Sequence, residues 1–183
     1  MMRPLLRLLI AAVAVLTLAA CSTSPANTSK VMFGLSPTNE LGYEYSGGGI
    51  TIGDRIMQFR NYAGMPIAFI TGYRIDYYNA SNALIGRTST IPQALNVIVP
   101  PGFACEEPDD VLGCDGIVPR RAAPGPIAFT EEMGSQLLSG DIAIAHVTAG
   151  HPAGWFARVT IYGHNAFGTF EDTHIINIIA PTE

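Results

Sequence analysis

Four histidines (His146, His151, His164 and His174) and five closely spaced carboxylates (Glu106, Glu107, Asp109, Asp110 and Asp115) are the side chains here that could hold a metal or move a proton. Imidazole nitrogens suit zinc, copper or nickel, and crowded carboxylate oxygens suit a hard cation such as calcium. The spacings favour neither. There is no His-x-x-x-His pair and no Glu-flanked zinc helix, and the acidic run does not follow the Asp-x-Asp-x-Asp-Gly calcium pattern. The expectation is therefore no metal and no cofactor. The histidines are expected to be scattered over the surface, with His164 and His174 sharing the exposed face of a terminal hairpin near Tyr162 if the register allows. The five carboxylates are expected to form a solvated acidic loop, a weak candidate for an ion. The chain also lacks a Gly-x-Ser-x-Gly elbow, a Cys-x-x-Cys pair and a dinucleotide glycine pattern after a strand. The glycine-rich stretch 36–53, with Gly47-Gly48-Gly49, has no Gly-Lys-Ser/Thr to cradle a phosphate and reads as a mobile loop. No catalytic residue is nominated. Met57, Met65 and Met133 read as core filling.

A different chemistry is written at the start of the chain. Met1, Arg3 and Arg7 precede a run from Leu8 to Ala20 that is apolar except for Thr17, too short to span a bilayer comfortably and laid out like a secretory signal. The run ends in Leu18-Ala19-Ala20-Cys21, which resembles the lipobox of bacterial lipoproteins. That resemblance, confined to about the first 25 residues, implies that residues 1–20 are removed. It also implies that the Cys21 thiol receives a diacylglyceryl group and that the new amino terminus is acylated. Each buried methylene contributes about 0.8 kcal/mol, so two or three chains give stable anchoring where one does not. Ser22 rather than Asp follows the cysteine, which for this family implies the outer membrane where the host has one. The expected location is the cell envelope, and the expected partner is the membrane, held through Cys21.

Export changes the meaning of the remaining cysteines. Cys105 and Cys114 close a short loop, and in an oxidising compartment two thiols at this separation are expected to form a disulfide. In the chain-entropy model such a bridge stabilises by about 2–3 kcal/mol. It would pin a proline-rich excursion from Pro100 to Pro126 that has little to bury. The acidic residues of this excursion make it the expected contact surface for a basic envelope partner.

Without the first 20 of its 183 residues the chain keeps enough length for one domain with a real core. Of its 10 basic residues two, Arg3 and Arg7, leave with the signal, so the mature chain carries eight against 15 acidic residues. Nucleic acid is excluded as a partner by that balance and by the absence of a basic cluster larger than Arg120-Arg121. Residues 21–35 read as the lipidated N-terminus and a flexible tether, polar from Ser22 to Lys30, and residues 36–183 as the single folded domain.

Short β-branched and aromatic segments dominate that domain: Ile56 to Tyr62, Ile67 to Tyr78, Leu84 to Thr88, Leu95 to Val99, Asp141 to Thr148, Phe156 to His164 and Phe170 to Ile179. From Ile67 to Tyr78 the period of two predicts Phe69, Thr71, Tyr73, Ile75 and Tyr77 on one face, with Arg74 and Asp76 marking the wet one. Asn79-Ala80-Ser81-Asn82 predicts a turn, and Asn165 to Thr169 a hairpin between the last two strands. One short helix is expected, capped by Thr130, opened by Glu131 and Glu132 and stopped by Gly140. The predicted fold is all-β, an antiparallel β-sandwich of immunoglobulin-like or fibronectin-like topology with one short helix. Its expected role is a non-enzymatic module for protein interaction or envelope structure. The alternative is a small-ligand or metal-ion binder, or a hydrolase built from scattered His and carboxylates.

Overall fold

The computed structural model describes residues 31–102 and 124–180. Cys21, Cys105, Cys114 and the acidic residues Glu106, Glu107, Asp109, Asp110 and Asp115 lie outside them. Along the described residues run β1 (Val31–Ser36), β2 (Glu40–Leu41), β3 (Tyr43–Ser46), β4 (Gly49–Ile52), β5 (Ile56–Asn61), β6 (Ala68–Tyr78), β7 (Leu84–Arg87), β8 (Gln93–Val99) and β9 (Ala128–Glu132). A single helical turn, α1 (Gly134–Leu137), and a helix, α2 (Gly140–Thr148), precede the long strands β10 (Phe156–Asn165) and β11 (Gly168–Ile178). The fold is mostly β and is not a closed barrel. Strands β1, β5 and β9 form one antiparallel sheet. A larger sheet runs β2, β11, β10, β6, with β7 and β8 following each other along the far edge of β6. Its one parallel pair is β2 with β11. Strands β3 and β4 form a separate two-stranded hairpin.

Alternation explains the large sheet. Ala157, Val159 and Ile161 of β10 lie opposite Tyr77, Ile75 and Tyr73 of β6, and all six are buried. Residues at cross-strand positions share a face, so this strip supplies the floor of the core. Val31, Leu35, Met57 and Phe59 of the smaller sheet belong to the same continuous core. The tyrosines of β6 also hold the helical turn: Tyr77 Oη donates to the Leu137 carbonyl at 2.9 Å, and Tyr73 Oη to Gln136 Oε1 at 3.4 Å. A buried phenol needs such a partner, because an unpaired polar group out of water costs about as much as the ring's burial gains. The expected turn after β6 is built by Asn79, whose Oδ1 accepts the Ser81 and Ala83 amides at 3.0 and 2.9 Å.

Several expectations are corrected. Residues 31–35 are strand rather than tether, because Val31 and Leu35 are buried against β5. Stretch 36–53 is ordered pairing rather than a loop: Gly47 and Gly48, with φ of 58° and 82°, make the two-residue turn joining β3 to β4. Thr130 caps no helix. It sits in β9, where its Oγ1 accepts the Met57 amide at 3.0 Å. Asp141 to Thr148 is helix α2 rather than strand, since its β-branched residues also fit a helical face burying Ile142, Ala143 and His146. Within β6 an extra residue, Thr71, faces the step between Tyr162 and Gly163. This bulge reverses the alternation, turning Phe69 and Thr71 away from Tyr73 and Ile75. Gly163 is needed beside it, because a Cβ there would stand 2.6 Å from the Phe69 carbonyl oxygen.

Asn61 closes the end of β5. Buried, with 1% exposure, its Nδ2 donates to the carbonyls of Pro66, Val99 and Pro100 at 2.9, 3.1 and 2.8 Å. Two of these carbonyls belong to prolines, so the segments meeting here are short of backbone donors of their own. Asn61→Asp replaces the donor with an oxygen facing three acceptors, and the expected loss of unfolding free energy is about 3 kcal/mol or more. Asn61→Ala is expected to lose about 1–3 kcal/mol. Urea denaturation of the two variants checks both the size and the order of the losses.

Candidate functional site

Tyr43, His146 and His151 are more than 100 positions apart in sequence at their widest, yet meet under the β3–β4 hairpin. The Gly47-Gly48 turn folds the hairpin, placing Tyr43 opposite Ile52 with its ring buried. Helix α2 supplies the other wall. Ser139 caps it by accepting the Ile142 amide at 3.4 Å, and Asp141 in its first turn complements the helix dipole. At its far end Gly150 and His151 both take left-handed backbone conformations, with φ of 81° and 56°. The His151 amide donates back to the His146 carbonyl at 3.0 Å, which closes the helix and turns the His151 ring toward His146.

For an uncharged His146 the hydrogen bonds assign the tautomer. His146 Nε2 lies 3.0 Å from the Pro152 carbonyl, which can only accept, so Nε2 carries the hydrogen. The other ring nitrogen, Nδ1, therefore offers its lone pair to Tyr43 Oη at 2.8 Å, and Tyr43 donates. Tyr43 Oη is also 3.4 Å from His151 Nδ1, a long contact for a hydrogen bond. His146 is 1% exposed and packs against Trp155 with ring centroids 4.9 Å apart, while His151 is partly open to solvent. Burial pushes the Tyr43 phenol above its ordinary value. Two imidazole nitrogens and one phenol oxygen thus converge.

The same hairpin and helix enclose a groove of about 470 Å³. Tyr45, Ile50 and Ile52 line one side of it, and Ile144, Val147 and Thr148 the other. Tyr45 and Ile144 are about half exposed, at 47% and 55%. Among the described residues no charged side chain lines it.

Other polar groups gather elsewhere. On the outer face of the large sheet Asp76 accepts from Arg87 Nε, with Arg74 Nε at 3.5 Å, and this carboxylate raises the Arg87 guanidinium further. Asp76 is thereby covered to 3% exposure rather than wet. Beside it the Arg158 guanidinium lies 4.6 Å above the Tyr78 ring, which stacks on Phe156. On the inner face His174 Nε2 is 3.3 Å from Asp172 Oδ2, and its ring lies against Phe33.

The histidines are therefore not scattered. His146 and His151 come together, and His174 meets a carboxylate. His164 and His174 do not share a face, since His174 lies opposite Val159, five positions from His164. His164 instead stacks on Phe69 on the outer side, with centroids 5.1 Å apart. Among the described residues no three His, Cys, Asp or Glu side chains gather as a metal site. The proposed lipidation residue, disulfide cysteines and acidic loop lie outside the described residues. The meeting of His146 and His151 had one local signal, Gly150 as a helix stop, but it was hidden by reading 141–148 as strand. Tyr43 had none. Compared with known protein families and with curated proteins, the chain matches neither a family nor a characterised protein.

Tyr43→Phe keeps the ring and deletes the hydroxyl, leaving His146 Nδ1 buried without a donor. The expected loss is about 1–3 kcal/mol, with faster amide exchange concentrated in β3 and β4. Alkaline pH gives a second check. Burial raises the phenols of Tyr43, Tyr73 and Tyr77 above 10.0, so above that pH the folded chain holds more protons than the unfolded one. Stability is expected to fall as pH climbs past about 10, with tyrosinate absorbance rising together with unfolding.

Proposed function

We propose that this chain is a lipid-anchored envelope protein that works as a non-enzymatic binding module on a β-sandwich. The observation that carries the binding reading is the uncharged apolar groove between the β3–β4 hairpin and α2. Half-exposed Tyr45 and Ile144 both line this cavity, which is of ligand-like size. The contact it favours is an uncharged apolar segment of a neighbouring envelope protein, with the rim of the hairpin hydrogen-bonding around it. One core shared by two sheets supports the sandwich description. Anchoring through Cys21 and a bridge between Cys105 and Cys114 complete the proposal. A hydrolytic role has one observation on its side, the Asp172–His174 pair, which has the geometry of a base and its orienting carboxylate.

A photo-crosslinking residue at position 45 is expected to capture a discrete envelope partner, and Ile144→Asp, at a half-exposed position of α2, to abolish capture while the chain still folds. Capture unaffected by Ile144→Asp would remove the groove from the contact. The anchor is tested separately: fatty-acid analogue is expected to label the wild type, whereas Cys21→Ala remains unlabelled and unprocessed.

A further inference from the structure

We propose that Tyr43, His146 and His151 form a binding site for one first-row divalent transition-metal ion, with zinc, cobalt or copper as the chemical class. The donors are Tyr43 Oη, His146 Nδ1 and His151 Nδ1, and water from the open side completes the coordination.

Three observations carry this. First, the two separations measured from Tyr43 Oη suit ligands around one ion. Donors about 2.0–2.1 Å from an ion stand about 2.9 Å apart at a right angle and about 3.3 Å apart at the tetrahedral angle. Tyr43 Oη stands 2.8 Å from His146 Nδ1 and 3.4 Å from His151 Nδ1, so the second separation is long for a hydrogen bond and ordinary for two ligands. Second, His146 is already oriented as a ligand. Its Nε2–H donates to the Pro152 carbonyl at 3.0 Å, which leaves Nδ1 as a lone pair, and a bond of this kind to the remote nitrogen accompanies metal-bound histidines almost always. Trp155 packs against the ring and limits its tilt. Third, His151 is partly exposed, has a left-handed backbone and places Nδ1 3.4 Å from Tyr43 Oη, so the site has one member at the surface.

The ion displaces the phenol proton, which leaves to solvent, and the phenolate oxygen, His146 Nδ1 and His151 Nδ1 each donate a lone pair. His151 takes its hydrogen on Nε2, which needs a tautomer change and no net proton. With both imidazoles uncharged, one proton is released per ion bound, and a dication at the edge of the core acquires an anionic ligand. Clamping Tyr43 to α2 would also stiffen the hairpin that forms one wall of the groove. The metal site stands without the groove's proposed role.

The test uses the full chain in detergent, free of any histidine tag and with its thiols alkylated. Cobalt and zinc are titrated against a chromophoric chelator. One equivalent is expected to bind, with the intense visible bands of a low-coordinate cobalt site. Titration in two buffers of different ionisation enthalpy is expected to show about one proton released. His151→Ala leaves the Tyr43–His146 bond in place and is expected to fold normally while losing at least about 100-fold in affinity. Tyr43→Phe is expected to abolish the proton release. His164→Ala, which alters an exposed histidine elsewhere, is expected to change nothing. The proposal is overturned if the wild type binds no stoichiometric ion, if His151→Ala binds as tightly as the wild type, or if His164→Ala accounts for the binding.

Discussion

The antiparallel ladder between β6 and β10, running from Tyr78 opposite Phe156 to Ala68 opposite Asn165, is the constraint on which the other elements depend. These long strands are central to the large sheet, so each has a neighbour on both edges. Their inward residues, Tyr73, Ile75 and Tyr77 against Ile161, Val159 and Ala157, are almost completely excluded from water. Shifting the register by one residue would carry this strip to the outer face and bring Arg74, Asp76 and Arg158 inward, which the burial of unpaired charge forbids. The bulge at Thr71 shows where that constraint ends. Beyond it Phe69 turns outward to His164, and the chain continues toward the Asn61 corner with its alternation reversed.

Helical and hairpin elements are attached to this frame by apolar burial, with Leu137, Leu138, Ile142, Ala143 and Tyr43 in the core, and are oriented by polar groups. The Tyr77 hydroxyl holds the Leu137 carbonyl, and the Tyr43 hydroxyl holds His146. Such contacts are directional, which makes them specific, and their net value is about 1 kcal/mol each. The β3–β4 hairpin pairs with neither main sheet, so its position rests on the Tyr43 contacts and on the packing of Ile50 and Ile52 toward α2. The polar cluster and the apolar groove lie between the same two elements.

Much of the β architecture was legible in the chain. Strands β5, β6, β7, β8, β10 and β11 follow the predicted segments to within a few residues, because half-buried strands must alternate and turns must carry Asn, Gly or Pro. Met57 and Met133 are buried, as apolar gap-filling side chains should be. Segment 141–148 was misread for a physical reason. Asp-Ile-Ala-Ile-Ala-His-Val-Thr alternates, yet its small alanines also permit a helix, and only packing of Ile142, Ala143 and His146 against the body selects it. Composition does not distinguish a mobile loop from a tight turn between two strands, which is what Gly47 and Gly48 form.

The sequence by itself determined that the chain is mostly β, acidic, free of recognisable catalytic patterns, and equipped with an N-terminus that resembles a lipoprotein signal. Those properties are local or compositional: a period of two, a charge count and a contiguous motif are read without knowing what lies beside what. Tertiary structure alone decided that Tyr43 meets His146 and His151, that Asp172 meets His174, and that Asp76 is covered by two arginines. Each of these contacts depends on backbone direction at a turn or on strand register. A single residue in a left-handed conformation at 151, or one extra residue at 71, redirects side chains by a whole face, and neither is visible in residue type or spacing.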